Sequence, residues 1–159
     1  MDITFKTPEG CFNYRACAVI INDNRILAMI DDPSSHYYLP GGRVNMHERI
    51  EDAVLRELKE ELFIDAKIVR PLWVNQGFFI AGDENEKYHE ICIYFLVDIS
   101  CTNILSRGKE FEIIEGKNRH FFKWIPFEEL EDTYFFPLFI KKEIFNLPKH
   151  LTLHTEIEY

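Results

Sequence analysis

Apolar and polar positions change period several times along this chain, and each change marks an element. From Cys11 the run CFNYRACAVIIND, the turn signal NDN at 22–24 and RILAMID predict two strands joined as a hairpin. Alternation is imperfect across Ala16–Ile21, as expected of a strand covered on both faces. DDPSSH (31–36) reads as a loop, and YYLP (37–40) as a short extended piece leading to Gly41 and Gly42. The period then lengthens. Ile50, Val54, Leu58 and Leu62, flanked by Ala53, form the apolar stripe of one helix. Arg49 stands where a capping Ser or Thr would be welcome; Glu51 and Asp52 in the first turn partly offset that weak cap.

AKIVRPLWVNQGFFIA (66–81) predicts one long or broken strand, with Pro71 and Gly77 as bend points. GDENEK (82–87) is a polar turn, and EICIYFLVDI (90–99) returns as a hydrophobic strand. Residues 100–118 read as a polar connection, long enough to be a functional loop. HFFKWIP (120–126) predicts another strand. PFEELED then begins a short helix, and FPLFIKKEIFN a second that ends at Leu147-Pro148. The tail HLTLHTEIEY alternates like an edge strand or a partner-binding arm. Strands on both sides of a helix, with further helix near the end, imply an α/β fold on a mixed sheet.

Composition narrows the class. The 159 residues, 47% hydrophobic and 28% charged, suit a single globular domain over 1–159. With no long apolar run and a polar first stretch, the expected location is the cytoplasm, with no membrane association. Cys11, Cys17, Cys92 and Cys101 lack CxxC spacing and are expected as free thiols. A net charge of −9 argues against non-specific nucleic-acid binding. It is compatible with a phosphorylated small molecule if bound cations reverse the local field.

The candidate chemistry lies on the helix. Glu57, Glu60 and Glu61 fall at i, i+3 and i+4. At 3.6 residues per turn, roughly 40° separates Glu57 from Glu61 and about 60° separates Glu57 from Glu60 on its other side. Three carboxylates on one stripe repel. A divalent cation would remove that repulsion, and oxygen-only donors suit magnesium or manganese rather than zinc.

The spacing is more informative than the cluster. Counting from Gly42, five residues lead to Glu48 and seven more to Arg56-Glu57; then come Leu58, one residue, Glu60-Glu61, one residue, Phe63 and Ile64. Gly42–Ile64 thus resembles the Nudix box, G-x5-E-x7-R-E-U-x-E-E-x-G-U with U aliphatic, at every fixed position but Phe63, where the family usually has glycine. Because glycine there takes a left-handed conformation costly to other residues, Phe63 is expected to pack inward with the helix ending differently or extending.

The resemblance implies an α/β/α sandwich and a Mg²⁺- or Mn²⁺-dependent hydrolysis of a nucleoside diphosphate linked to another group. It implies Glu57, Glu60, Glu61 and the Gly41 carbonyl as metal ligands, with Glu57 the leading candidate for base. Arg56 would orient the glutamates and Glu48 would brace the loop. Asn45 and His47 depart from common box residues, acid and glycine respectively. Outside the box, Arg15 is either a surface arginine or a grip on substrate phosphate. The acid that some relatives place before the strand tryptophan is replaced by Lys123, leaving Glu90, Glu112 and Glu115 as substitutes. Phe78, with Phe12, Tyr14, Tyr37, Tyr38, Trp73 and Phe79, is a candidate for stacking on substrate. ADP-ribose, nucleotide sugars, dinucleoside polyphosphates and nucleoside triphosphates all remain open, as do monomer and homodimer. The competing readings are a non-catalytic Nudix-fold sensor of a phosphorylated metabolite and an isoprenyl diphosphate isomerase using a cysteine.

Overall fold

Strand-forming residues on either side of one amphipathic helix build two sheets in a computed structural model that describes residues 1–32, 34–82 and 85–159. The elements are β1 (Thr4–Thr7), β2 (Gly10–Val19), β3 (Ile21–Asn22), β4 (Arg25–Asp31), β5 (Gly41–Arg43), α1 (Ile50–Leu62), β6 (Lys67–Ala81), β7 (Glu86–Asp98), β8 (Glu110–Glu115), β9 (Asn118–Pro126), α2 (Ile140–Glu143) and β10 (Thr152–Ile157). Among the described residues, a mixed sheet runs β1-β2-β7-β6-β10 with β5 added to β2, and an antiparallel sheet runs β3-β4-β9-β8. The fold is α/β, as expected.

Both faces of the sheets are covered, which explains the poor alternation across Ala16–Ile21. Ala16, Ala18, Ile20, Leu27 and Met29 join Ala53, Val54, Leu58 and Leu62 of α1 in one core. Cys17, Val19, Ile26 and Ala28 join Trp73, Tyr94, Leu130, Phe135, Phe139 and Ile140 in a second core on the opposite side. The layers are therefore α/β/α, with the outer helix α2 reduced to a single turn.

The structure departs from the sequence pattern in several places. The first hairpin is real but small. Ile21 and Asn22 pair with Ile26 and Arg25 around Asp23 and Asn24, both at positive φ, while β2 belongs to the other sheet. The supposed loop 100–118 contains the 3-10 turn Ile104–Arg107 and strand β8. Its polar residues face solvent from an edge strand, while Ile113 is buried and Phe111 stacks on Phe122. The helix expected from PFEELED is a 3-10 turn, Phe127–Glu129. In β6 the ladder shifts register around Pro71, whereas Gly77 keeps its place opposite Glu90. The tail is an edge strand, parallel to β6. Part of the turn expected at 82–87, and Pro33 in the loop expected at 31–36, lie outside the described residues. Cys11, Cys17, Cys92 and Cys101 are free thiols, the first three buried.

Phe63 ends α1 in the way a glycine would. It adopts φ 53°, ψ 41°, donates its N–H to the Lys59 carbonyl and leaves its side chain 62% exposed. The expected inward packing is corrected: Leu62 and Ile64 on either side fill the core, so Phe63 is turned out. Arg49 makes no side-chain cap bond, as anticipated.

Candidate active site

The site is built where the β5 glycines pass under α1. Gly41 pairs with Cys17 and Gly42 with Ala16 on β2, which holds the glycine backbone against the sheet. Gly41 sits at φ 146°, and an added Cβ would lie 2.2 Å from the Ala16 carbonyl oxygen. A Cβ on Gly42 would fall 2.3 Å from the Glu57 carboxylate. Both glycines are therefore required by close approach, one to backbone and one to an acid.

Glu61 is buried, and its Oε2 accepts the Gly41 N–H at 3.0 Å. Burial, then the charge of Glu57, holds its carboxyl well above the usual range, against the pull of that N–H. Burial also raises Glu57, opposed by Arg56. Glu60 is more exposed than its two neighbours and bonded to Arg56 at 3.2 Å.

Arg56 is the organising cation. Its Nε and Nη2 donate to the two oxygens of Glu48 at 2.7 and 3.0 Å, Nη1 donates to Glu57 at 2.6 Å, and Nη2 also reaches the Arg43 carbonyl at 3.0 Å. Glu48 in turn accepts the Asn45 N–H at 2.9 Å. Arg56 first, then the Asn45 N–H, lowers the Glu48 carboxyl to about 2 despite its partial burial. His47, where glycine is common, takes φ 66° and preserves the turn.

Among the described residues, no three His, Cys, Asp or Glu side chains converge tightly enough to define a cation position. Glu57 and Glu60 lean on Arg56, and Glu61 on Gly41. The donor set nevertheless suits a hard divalent cation. It consists of oxygens only, two of its carboxyls are raised by burial, and Gly42 leaves bare space against Glu57.

Arg15 connects this centre to a 340 Å³ cavity on the β6–β7 face of the mixed sheet. Its Nη2 donates to the Gly41 carbonyl at 3.3 Å and its Nη1 lies 4.0 Å from Glu90. The structure therefore brings Arg15 and Glu90 together at the cavity wall. Phe78 lies elsewhere: it faces the opposite side of the sheet, against His89, with ring centroids 4.5 Å apart. Phe79, one position on, lines the cavity together with Tyr38. Trp73 is buried core. Glu112 pairs with Arg119 on the far sheet, and Glu115 with His120, so neither reaches this cavity. Asn75, Tyr134 and Glu158 also line the cavity. A lone asparagine in a hydrophobic strand carried no signal in the sequence; Phe136-Pro137 read only as the start of a helix.

The chain belongs to the Nudix family: the NUDIX domain model matches residues 12–143. It is 34% identical over 84 residues to an ADP-ribose pyrophosphatase of Methanocaldococcus jannaschii, covering 51% of this chain and 47% of that protein. The chain thus spans about half the length of that curated relative. Solved structures share the fold. A MutT protein of Bacillus halodurans aligns with TM-score 0.57 at 16% identity, over 90% of this chain and 88% of that one. A MutT NUDIX hydrolase of Burkholderia pseudomallei aligns with TM-score 0.51 at 21% identity, over 74% and 84%. No helix among the described residues is long and apolar enough to cross a membrane.

Proposed function

We propose that this chain is a pyrophosphohydrolase that cleaves the phosphoanhydride link of a nucleoside diphosphate joined to a further group. Mg²⁺ or Mn²⁺ would be held by Glu57, Glu60, Glu61 and the Gly41 carbonyl. The observation that carries the reading is the packing of the glycine turn on the acidic face of α1, with Glu61 bonded to Gly41 and Glu57 against the bare Gly42. When bound, such a cation neutralises phosphate oxygens and makes a coordinated water more acidic.

The chain's own residues supply the rest. Glu57, whose carboxylate lies against the bare Gly42, is the leading candidate to accept a proton from an attacking water. Arg56 positions Glu57 and Glu60, and Glu48 fixes Arg56 by a two-point bond. Arg15, between Gly41 and the cavity, would grip a phosphate oxygen, with Glu90 orienting it, a reading its contacts with both support. The proposed unit is the whole of residues 1–159, acting on a phosphorylated small molecule in the cytoplasm as a monomer or homodimer. The name of the Methanocaldococcus relative puts ADP-ribose first among substrates to test, ahead of nucleotide sugars and nucleoside triphosphates.

The test is a panel of these compounds with Mg²⁺ or Mn²⁺, scored by phosphate released after a coupled phosphatase. Glu60→Gln and Glu61→Gln are expected to lose at least ~100-fold in kcat while keeping their thermal midpoints, as for removal of a catalytic electrostatic group. Full activity in the double variant would overturn the reading. Ligand-induced thermal stabilisation without product under either metal would favour the sensor instead.

A further inference from the structure

Asn75 sits on β6, opposite Cys92 of β7 and His154 of β10, and is 5% exposed. Its carboxamide makes no hydrogen bond among the described residues, and its Oδ1 is a buried acceptor without a partner. Buried amides are normally paired, because leaving one unsatisfied forfeits the water it gave up. Asn75 lines the cavity, so a molecule entering there reaches a buried acceptor that lacks a partner among the described residues; in the same wall Arg15 Nε is a buried donor in the same state.

The surroundings specify what that molecule is. At 340 Å³ the cavity stands at the small end of ligand sites, room for one ring system rather than a whole dinucleotide. Tyr38, Phe79, Tyr134 and Phe136 supply aromatic walls. The Tyr38 hydroxyl is bonded to Asp31, which leaves its ring to the cavity. Gly77, the next β6 residue on the same face, leaves the space above Asn75 open; a Cβ there would make only ordinary contact, 3.5 Å from Asn75 Nδ2. Glu90, Glu156 and Glu158 outnumber Arg15 along the wall. Glu156 is engaged with the Leu138 and Phe139 N–H groups at 3.0 and 2.8 Å, so Glu158 is the acceptor left over. Burial, then Glu156, pushes its carboxyl up to about 7. An anionic group is disfavoured beside Glu156 and Glu158; an uncharged planar ring bearing N–H donors is accepted there.

We propose that Asn75 is a specificity-determining residue that reads the donor–acceptor edge of the substrate's nucleobase, with the ring held between the aromatic walls. An amide offers one donor and one acceptor side by side, the pattern that pairs bidentately with a base edge. The assignment rests on the pyrophosphohydrolase reading for the identity of the ligand as a nucleotide. It adds that the base, and not the further group joined to the diphosphate, occupies this cavity. Glu158 directly follows β10 and lies beyond the family-matched residues 12–143.

The experiment titrates AMP, GMP, CMP, UMP and base-free ribose 5-phosphate into the full chain without metal, by calorimetry. The wild type is expected to prefer one base by at least ~10-fold and to bind ribose 5-phosphate weakly. Asn75→Ala is expected to weaken the preferred nucleotide 10- to 100-fold (on the order of one base-reading pair) and to flatten the preference. Its thermal midpoint should stay at or above that of wild type, because no native bond is removed. Gly77→Val, which takes up cavity space beside Asn75 at ordinary contact distance and leaves its amide in place, should also abolish nucleotide binding. Unchanged selectivity in Asn75→Ala, or ribose 5-phosphate binding as tightly as the nucleotides, overturns the assignment. Base preference without turnover by the wild type sinks the hydrolase reading and leaves the cavity assignment standing. Turnover without base preference does the reverse.

Discussion

The two glycines of β5 make opposite predictions when each is given one methyl group. In Gly42→Ala the new Cβ meets the Glu57 carboxylate at 2.3 Å. Ordinary contact requires a retreat of about 1 Å, and the obstacle is the end of a flexible side chain, so the carboxylate moves rather than the backbone. That movement breaks the 2.6 Å bond from Arg56, a loss of no more than about 1 kcal/mol for a pair partly open to solvent. A displacement of that size at a reacting group costs roughly 100-fold in rate.

In Gly41→Ala the Cβ lies 2.2 Å from the Ala16 carbonyl oxygen and 2.7 Å from the Cys17 Cα, both in a paired strand, at a φ of 146°. Backbone strain of about 1–3 kcal/mol adds to overpacking of about 1–3 kcal/mol, a sum of roughly 2–6 kcal/mol. For a chain of this size that lowers the thermal midpoint by roughly 4–24 °C. The assays are thermal denaturation by circular dichroism and kcat/KM on the substrate the panel identifies. Gly42→Ala should melt like wild type and turn over poorly, whereas Gly41→Ala should melt early. A Gly42→Ala protein with full kcat/KM would refute the placement of Glu57 in the chemistry.

Phe63→Gly should raise the thermal midpoint by roughly 1–4 °C, since relief of left-handed strain outweighs the flexibility glycine adds to the unfolded chain. The buried His120 bonds Asp31 at 2.6 Å and Glu115 at 2.9 Å; burial opposes its charge, but the two carboxylates outweigh it and its pKa stands above 6.5. A raised folded pKa stabilises fully below about pH 6.5 and the benefit fades as pH rises through the folded value. Urea melts of His120→Gln against wild type should therefore show a deficit of roughly 2 kcal/mol at pH 5.5 that shrinks towards pH 9. Glu48, held at about 2 by Arg56, has the opposite sign. Its contribution, about 1–2 kcal/mol after solvent screening, is present above about pH 4.5 and lost as pH falls towards 2. Glu48→Gln should remove that acid dependence in the same melts.

The loop–helix unit was legible because its chemistry fixes spacing: glycines where backbone meets an acid, and carboxylates on one helical stripe. The covered faces of β2 were legible too, from unbroken apolar character. Strand β8 was not, because an edge strand with polar residues outward resembles a loop when read without its partner β9. The orientation of Phe78 and Phe79 could not be read either. Register shifts at Ile68–Arg70 and Pro71–Trp73 reset which β6 residues face the cavity, and a bulge leaves no mark in periodicity. Asn75 and Glu158 come to line one cavity only after β10 docks beside β6, a pairing of strands far apart in the chain.

Calorimetric titration of Mn²⁺ into the substrate-free chain, beside the Glu57→Gln/Glu61→Gln double variant, tests the central claim most directly. The wild type should take up the ion at or below millimolar concentration, and the double variant should not. Equal uptake by both proteins, or none by the wild type at several millimolar, would contradict the assignment of the α1 carboxylates to cation capture.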